Sequence, residues 1–199
     1  VRCESMFKGY YGRPDLTEKV MRDGWHVSGD VGYLAGGQVH VTGRLKDLII
    51  VAGRNIHPED LEDAANEVEG IKRGRCVAFG VTDPRVGTEV VVMICELAAP
   101  LDEPGRQRVA TEVRARVWKQ EIALFDVRLV DDRWMIKTSS GKISRSANRE
   151  KYLATFAPPE LRGQEEWVAR QVARLNRPGL AIMPQMARLM MQSMRVRFQ

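Results

Sequence analysis

Three stretches of this 199-residue chain combine glycines with charged side chains in a way that packing alone does not require. In Trp134–Arg145, W-M-I-K-T-S-S-G-K-I-S-R, Lys137 and Lys142 flank a small polar loop. Such a loop can carry an ammonium group to a phosphate or a carboxylate, or leave it solvated; the residues alone keep both readings open. A P-loop is excluded, because G-x-x-x-x-G-K-[ST] needs Gly at 136 and Ser or Thr at 143, and both positions are Ile. In Gly24–Leu34, G-W-H-V-S-G-D-V-G-Y-L, Asp30 stands beside Gly29 and two residues before Gly32. A carboxylate among small neighbours can accept hydrogen bonds from a sugar diol, and an Asp in a turn can equally serve the turn itself. In Thr42–Glu62, Arg44, Lys46 and Asp47 come immediately before an apolar strand that they cannot enter, the natural place for a boundary or hinge.

No metal centre is expected. His26, His40 and His57 are isolated, with no H-x-x-x-H pair, and Cys3, Cys76 and Cys95 show no C-x-x-C spacing. An odd, scattered set of cysteines argues against a disulfide framework and fits a reducing, cytoplasmic setting. Cys76 and Cys95 sit in apolar runs and read as small core residues. The net charge of +5 is unevenly spread: residues 160–199 carry seven basic and three acidic side chains, leaving residues 1–159 at +1. The body therefore has no phosphate-tracking stripe, and nucleic acid is not expected as a partner. No run of 18 apolar residues signals a transmembrane helix.

The elements that must position these residues follow from periodicity and punctuation. Residues 1–43 are rich in glycine and turns, with one alternating segment, Q-V-H-V-T, and read as the edge of a larger β structure. The chain starts in mid-pattern at Val1, as a piece of something longer would. Asp47–Val51 reads as a buried strand ending at Gly53, after which Pro58 opens a helix with acidic first turns. R-C-V-A-F-G-V-T, T-E-V-V-V-M-I-C-E-L and F-D-V-R-L-V read as strands, the second the most apolar and hence central. Residues 104–120 form a helix with Val109, Val113 and Val117 on one face, and a last helix follows from Ser146 to Thr155. The fold class is α+β, with a short mixed sheet flanked by helices. Beyond Pro158-Pro159, residues 157–199 form a basic tail with helices expected at Glu160–Leu175 and through the Arg- and Met-rich C-terminal stretch. Such a tail packs on its own protein or docks another domain, a subunit or a membrane surface.

Taken in order, these segments, together with G-Y-Y-G-R-P-D-L-T (Gly9–Thr17), resemble the C-terminal part of the adenylate-forming ligases. That superfamily holds acyl-CoA synthetases, fatty acyl-AMP ligases, luciferases and nonribosomal-peptide adenylation domains. The resemblance covers residues 1–155 and divides the chain into the edge of a large N-terminal domain (1–43), a hinge (44–47), a mobile C-terminal domain (48–156) and the tail. It implies that a carboxylic acid attacks the α-phosphate of ATP, with Mg²⁺ held by the large domain, and that the acyl group then passes to a thiol. It assigns Asp30 to the ribose hydroxyls, Arg44 to the same ribose and Lys46 to the hinge. Lys142 is assigned to the carboxylate and α-phosphate, and Gly53 to the path of a pantetheine thiol.

Many CoA-forming members carry K-x-K-G after the hinge, where this chain has Ile50, Val51, Ala52 and Gly53. The wording L-I-I-V-A-G-R-N-I-H-P-E-D-L-E is closer to fatty acyl-AMP ligases. The expected substrate is then a fatty acid and the expected acceptor an acyl carrier protein, with coenzyme A as the alternative. A stand-alone carrier-protein docking module is the reading from another class. These residues contain no Ser/Thr/Gly-rich loop for the ATP phosphates, so the 199 residues alone are expected to be inactive.

Overall fold

The computed structural model describes residues 1–161, and the chain divides into a unit over Val1–Tyr152 and a second over Leu153–Gln199. The helices expected at Glu160–Leu175 and in the C-terminal stretch lie outside the described residues. Among the described residues, no helix is long and apolar enough to cross a membrane.

The first unit opens with helix α1 (Pro14–Val20), the hairpin β1 (Met21–Arg22) and β2 (Trp25–His26), and the hairpin β3 (Asp30–Ala35) and β4 (Gln38–Arg44). Helix α1 lies where the sequence pattern reads as turns. Pro14 suits a first helical turn, and the Thr17 hydroxyl clamps the start by donating to Arg13 O and accepting from the Tyr10 N–H. In β3–β4, Gly32 pairs with Val41 and Leu34 with Val39, so these four share one face. Leu34, Val39 and Val41 on it are all exposed.

A 3₁₀ turn, Leu45–Asp47, leads into a third hairpin, β5 (Ile49–Val51) with β6 (Arg54–Ile56), and then helix α2 (Pro58–Asn66). The buried strand expected at Asp47–Val51 is therefore shorter and half-buried. The turn takes its first residue, and two-residue periodicity sends Ile49 into the core while Ile50 remains 45% exposed.

The core is a three-stranded sheet in the order β7 (Ile71–Asp83), β8 (Thr88–Leu97), β9 (Leu124–Val130). Strands β7 and β8 are antiparallel; β8 and β9 are parallel. A parallel pair needs a long crossover, supplied by helix α3 (Glu103–Trp118), whose Asp102 carboxylate caps it by accepting from the Gly105 N–H. Central β8 is buried continuously from Val91 to Leu97, as a strand covered on both faces must be. One face, with Cys76, Ala78, Val91, Met93, Cys95 and Leu97, packs on Leu61 and Ala65 of α2 and on Val109, Val113 and Val117 of α3. On the other face, Phe79 meets Tyr152 of helix α4 (Arg145–Thr155) edge-on at 5.7 Å. The Tyr152 hydroxyl donates to Asp126 Oδ2 at 2.8 Å, and burial together with that carboxylate pushes its pKa well above that of an ordinary phenol. Cys76 and Cys95 face each other across the register inside the core, where hydrogen bonding and burial push the Cys95 thiol up.

Leu61 is fully buried between α2 and the sheet. Leu61→Ala is expected to lower unfolding free energy by about 2–5 kcal/mol in urea titrations. Ile50→Ser, at an exposed position of the neighbouring hairpin, is expected to stay within about 0.5 kcal/mol.

Candidate active-site elements

Asp30 and Arg44 are direct cross-strand partners at the open end of β3–β4, and the Arg44 Nε donates to Asp30 Oδ1 at 3.2 Å. The Ser28 hydroxyl accepts the Asp30 N–H at 3.2 Å, and the Leu45 N–H donates to Gly29 O at 2.9 Å. The pair is solvent-facing, with one carboxylate oxygen taken up by the guanidinium. Its residues are therefore fixed by a hairpin register, while its chemistry points outward.

Lys46 follows at once. Leu45 is bonded back to the hairpin, and the Asp47 carboxylate is held at 2.7 Å by Arg145. Exposed Lys46 stands between these two tethers. Across the same junction, Gly43 packs against α2 so closely that a Cβ would lie 3.1 Å from both His57 Nδ1 and Glu59 Oε2. Those two buried atoms have no hydrogen-bond partner. Buried polar atoms without partners cost about 1–3 kcal/mol each, which weakens this contact.

Gly53 occupies the tip of β5–β6. Ala52 (φ 48°) and Gly53 (φ 83°) form a two-residue turn with both φ positive, the combination that matches strand twist in a tight hairpin. Thr88 and Glu89 of β8 hold the hairpin by its backbone. The Thr88 hydroxyl donates to Ile50 O at 3.0 Å and accepts from the Ala52 N–H at 2.8 Å, while Glu89 accepts from the Ile50 N–H at 2.6 Å.

Lys142 is exposed on a third element, a narrow loop over residues 136–144. Lys137 and Ile143 form a β-bridge, the Ser144 N–H donates to Ile136 O, and the Thr138 N–H donates to Lys142 O at 2.8 Å. The base of the loop is fastened from α4. The fully buried Asn148 amide accepts from the Ile136 N–H (2.9 Å) and donates to Ile136 O (2.9 Å) and Ser144 O (2.7 Å). Buried Glu96 at the end of β8 accepts from the Met135 N–H at 2.8 Å. Lys151 donates to Trp134 O at 2.6 Å and lies 4.0 Å above the Trp134 ring.

Arg145 begins α4 three residues after Lys142. Its guanidinium donates to Ala78 O (3.0 Å), Asp47 Oδ2 (2.7 Å) and Glu62 Oε1 (2.8 Å), with Glu59 Oε1 at 3.3 Å. Burial alone would lower its pKa, but the three carboxylates outweigh burial and raise it. Burial pushes the Glu62 carboxyl above its ordinary range, because one guanidinium shared among three carboxylates does not fully offset desolvation.

Of the residues singled out from the sequence, Asp30 and Arg44 are brought into contact, with Lys46 beside them, while Gly53 and Lys142 stand on separate loops. Sequence reasoning missed Asn148, Arg145 and Glu62. A signal existed for Asn148: it lies four residues before Tyr152, on the same buried helix face.

No protein-family model matches the sequence. A Caulobacter vibrioides protein whose name places it among the acyl-CoA synthetases is 39% identical over 155 residues, 75% of this chain and 26% of that protein. The 4-hydroxyphenylalkanoate adenylyltransferase of Mycobacterium tuberculosis is 34% identical over 77% of this chain and 27% of that protein. The chain is homologous to the adenylate-forming acyl ligases. Its fold agrees. The adenylation and carrier-protein structure of McyG with phenylalanyl-adenylate superposes with a TM-score of 0.71, at 29% identity over 84% of this chain and 30% of that one. A fatty acyl-adenylate ligase structure, from work on the Escherichia coli and Legionella pneumophila enzymes, gives 0.64 at 32% identity over 76% and 26%. The chain thus spans about a quarter of the length of the curated ligases it matches.

Asn148→Leu keeps the volume but leaves the Ile136 N–H without its partner, while Ile136 O and Ser144 O keep the backbone donors of Ser144 and residue 148. It is expected to cost about 1–3 kcal/mol, and to accelerate amide hydrogen exchange at Ile136 while β8 amides stay protected.

Proposed function

We propose that this chain is the mobile C-terminal part of an ATP-dependent ligase that activates a carboxylic acid as its acyl-adenylate, with release of pyrophosphate, and passes the acyl group to a thiol. The observation that carries this reading is the Asp30–Arg44 pair directly before a one-residue junction, with the Lys142 loop on the body beyond it. The Asp30 carboxylate, steadied by Arg44, accepts hydrogen bonds from the ribose hydroxyls of the nucleotide. Lys46 is the hinge. The Lys142 ammonium meets the attacking carboxylate and the α-phosphate; as the new O–P bond forms and pyrophosphate leaves, negative charge gathers on the phosphoryl oxygens, and a placed cation stabilises that state more than the ground state. Gly53, with no side chain at a hairpin tip, leaves room for a slender pantetheine arm.

Among the described residues, no group of three His, Cys, Asp or Glu is disposed to hold a metal. From the family resemblance we assign the ligands of the Mg²⁺ that accompanies ATP to the remainder of the ligase, and no step to it here. The exposed apolar face of Leu34, Val39 and Val41 is assigned to packing against that same larger body.

For the acid we propose a fatty acid, and for the acceptor an acyl carrier protein. The I-V-A-G run at 50–53 and the likeness to a fatty acyl-adenylate ligase and to a carrier-protein-linked adenylation structure support this choice. Coenzyme A is the alternative, favoured by the naming of the Caulobacter relative. With the full-length ligase, ATP and a series of fatty acids, an adenylate that persists when CoA is added supports the carrier-protein reading; rapid acyl-CoA formation overturns it.

Lys142→Ala in the full-length protein is expected to lower ATP–pyrophosphate exchange by about 10²–10³-fold without changing the melting temperature. Exchange at the wild-type rate would overturn the ligase assignment of this loop.

A further inference from the structure

Arg145 is the point where the lysine loop, the junction turn and the sheet meet. It lies three residues beyond Lys142, and its guanidinium reaches Asp47, Glu62 and Ala78 O, residues 98, 83 and 67 positions away in the chain. Asp47 immediately follows Lys46, and Ala78 belongs to the core sheet. The turn and the loop are therefore tied to each other through one planar group whose donors are arranged in a fixed fork.

We propose that Arg145 is the positioning residue for Lys142, acting through Asp47 to register the lysine loop against the hinge. The inference rests on the adenylation role of Lys142. Arg145 does not touch the reacting atoms; Asn148 holds the two stems of the loop together, and Arg145 ties the C-terminal stem to Asp47. Misplacement by about 1 Å is enough to cost on the order of 10²-fold in rate. The Gly53 hairpin is held through Thr88 and Glu89, by bonds that do not pass through Arg145. Loosening the Arg145 clamp therefore disturbs adenylation and spares transfer.

The test uses the full-length ligase and two measurements, ATP–pyrophosphate exchange and thiol acylation from supplied acyl-adenylate. Asp47→Asn preserves shape and removes the charge; Arg145→Lys preserves the charge and removes the fork. Both are chosen to retain the fold, which melting temperature verifies. Each is expected to lower kcat for exchange by about 10–10²-fold, leave KM for ATP within about twofold, and leave thiol acylation within about threefold. The double variant is expected to lose little more than Arg145→Lys alone, because both changes break the same contact. Unchanged exchange in both single variants would overturn the proposal, as would equal losses in both half-reactions that track melting temperature. Lys142→Ala measured alongside separates the two levels. If it abolishes exchange while the Arg145 and Asp47 variants do not, the ligase reading stands and the positioning role falls; if it has no effect, the reading itself fails.

Discussion

Three segments far from Arg145 in sequence converge on its guanidinium, and the placement of the junction turn against the Lys142 loop depends on that convergence. A charge cluster this enclosed is a poor way to gain stability, since desolvation consumes most of the Coulombic return. Its effect is geometric. Asp47, Glu62 and Ala78 O offer acceptors in three directions, and a rigid fork of donors satisfies them in one arrangement only. Removing the cation would leave three carboxylates facing one another in a half-buried space.

The clamp also sharpens where the chain can bend. On one side of Lys46, the Leu45 N–H is bonded to Gly29 O; on the other, Asp47 is bonded to Arg145. A contact across the junction, Gly43 against His57 and Glu59, contains two buried polar atoms without partners, which weakens it. In the proposed function, a swivel at Lys46 turns residues 48–152 together. That body carries Lys142 and Gly53 on different loops with independent anchors, Asn148 and Arg145 for one, Thr88 and Glu89 for the other. Two loops on one rigid piece offer a physical means for one active site to receive two different groups in turn, as the proposed two-step reaction requires.

Much of this was legible in the sequence, for identifiable reasons. The strands of the core sheet carry long apolar runs, and the valines of α3 recur at i, i+4 and i+8, so their burial follows from periodicity alone. Asp30, Arg44 and Lys142 stood out because charge beside glycine has no packing explanation. Helix α1 was not legible: seven residues opened by a proline among glycines carry too short a pattern, and a threonine clamp supplies what propensity does not. The strand over Asp47–Val51 was overextended because an apolar run does not reveal that a neighbouring hairpin strand will expose every second residue. Arg145 and Glu62 were hidden for a different reason. A charged residue at a helix start or on an acidic helix looks solvated until the partner 83 residues away is known.

The central claim, which follows from the proposed function, is that residues 48–152 turn together about Lys46 relative to the β3–β4 hairpin. Its most direct test is a pair of spin-label distances in the full-length ligase, measured first with ATP and a nonreactive acid analogue and then with an acyl-adenylate analogue and a pantetheine thiol. One pair joins Gln38 to Ser139, across the junction; the other joins Trp118 to Ser139, within residues 48–152. The predicted result is two distinct Gln38–Ser139 distances, one for each condition, with Trp118–Ser139 unchanged. A Gln38–Ser139 distance that is the same in both conditions, or a Trp118–Ser139 distance that shifts with it, would contradict a body turning about Lys46.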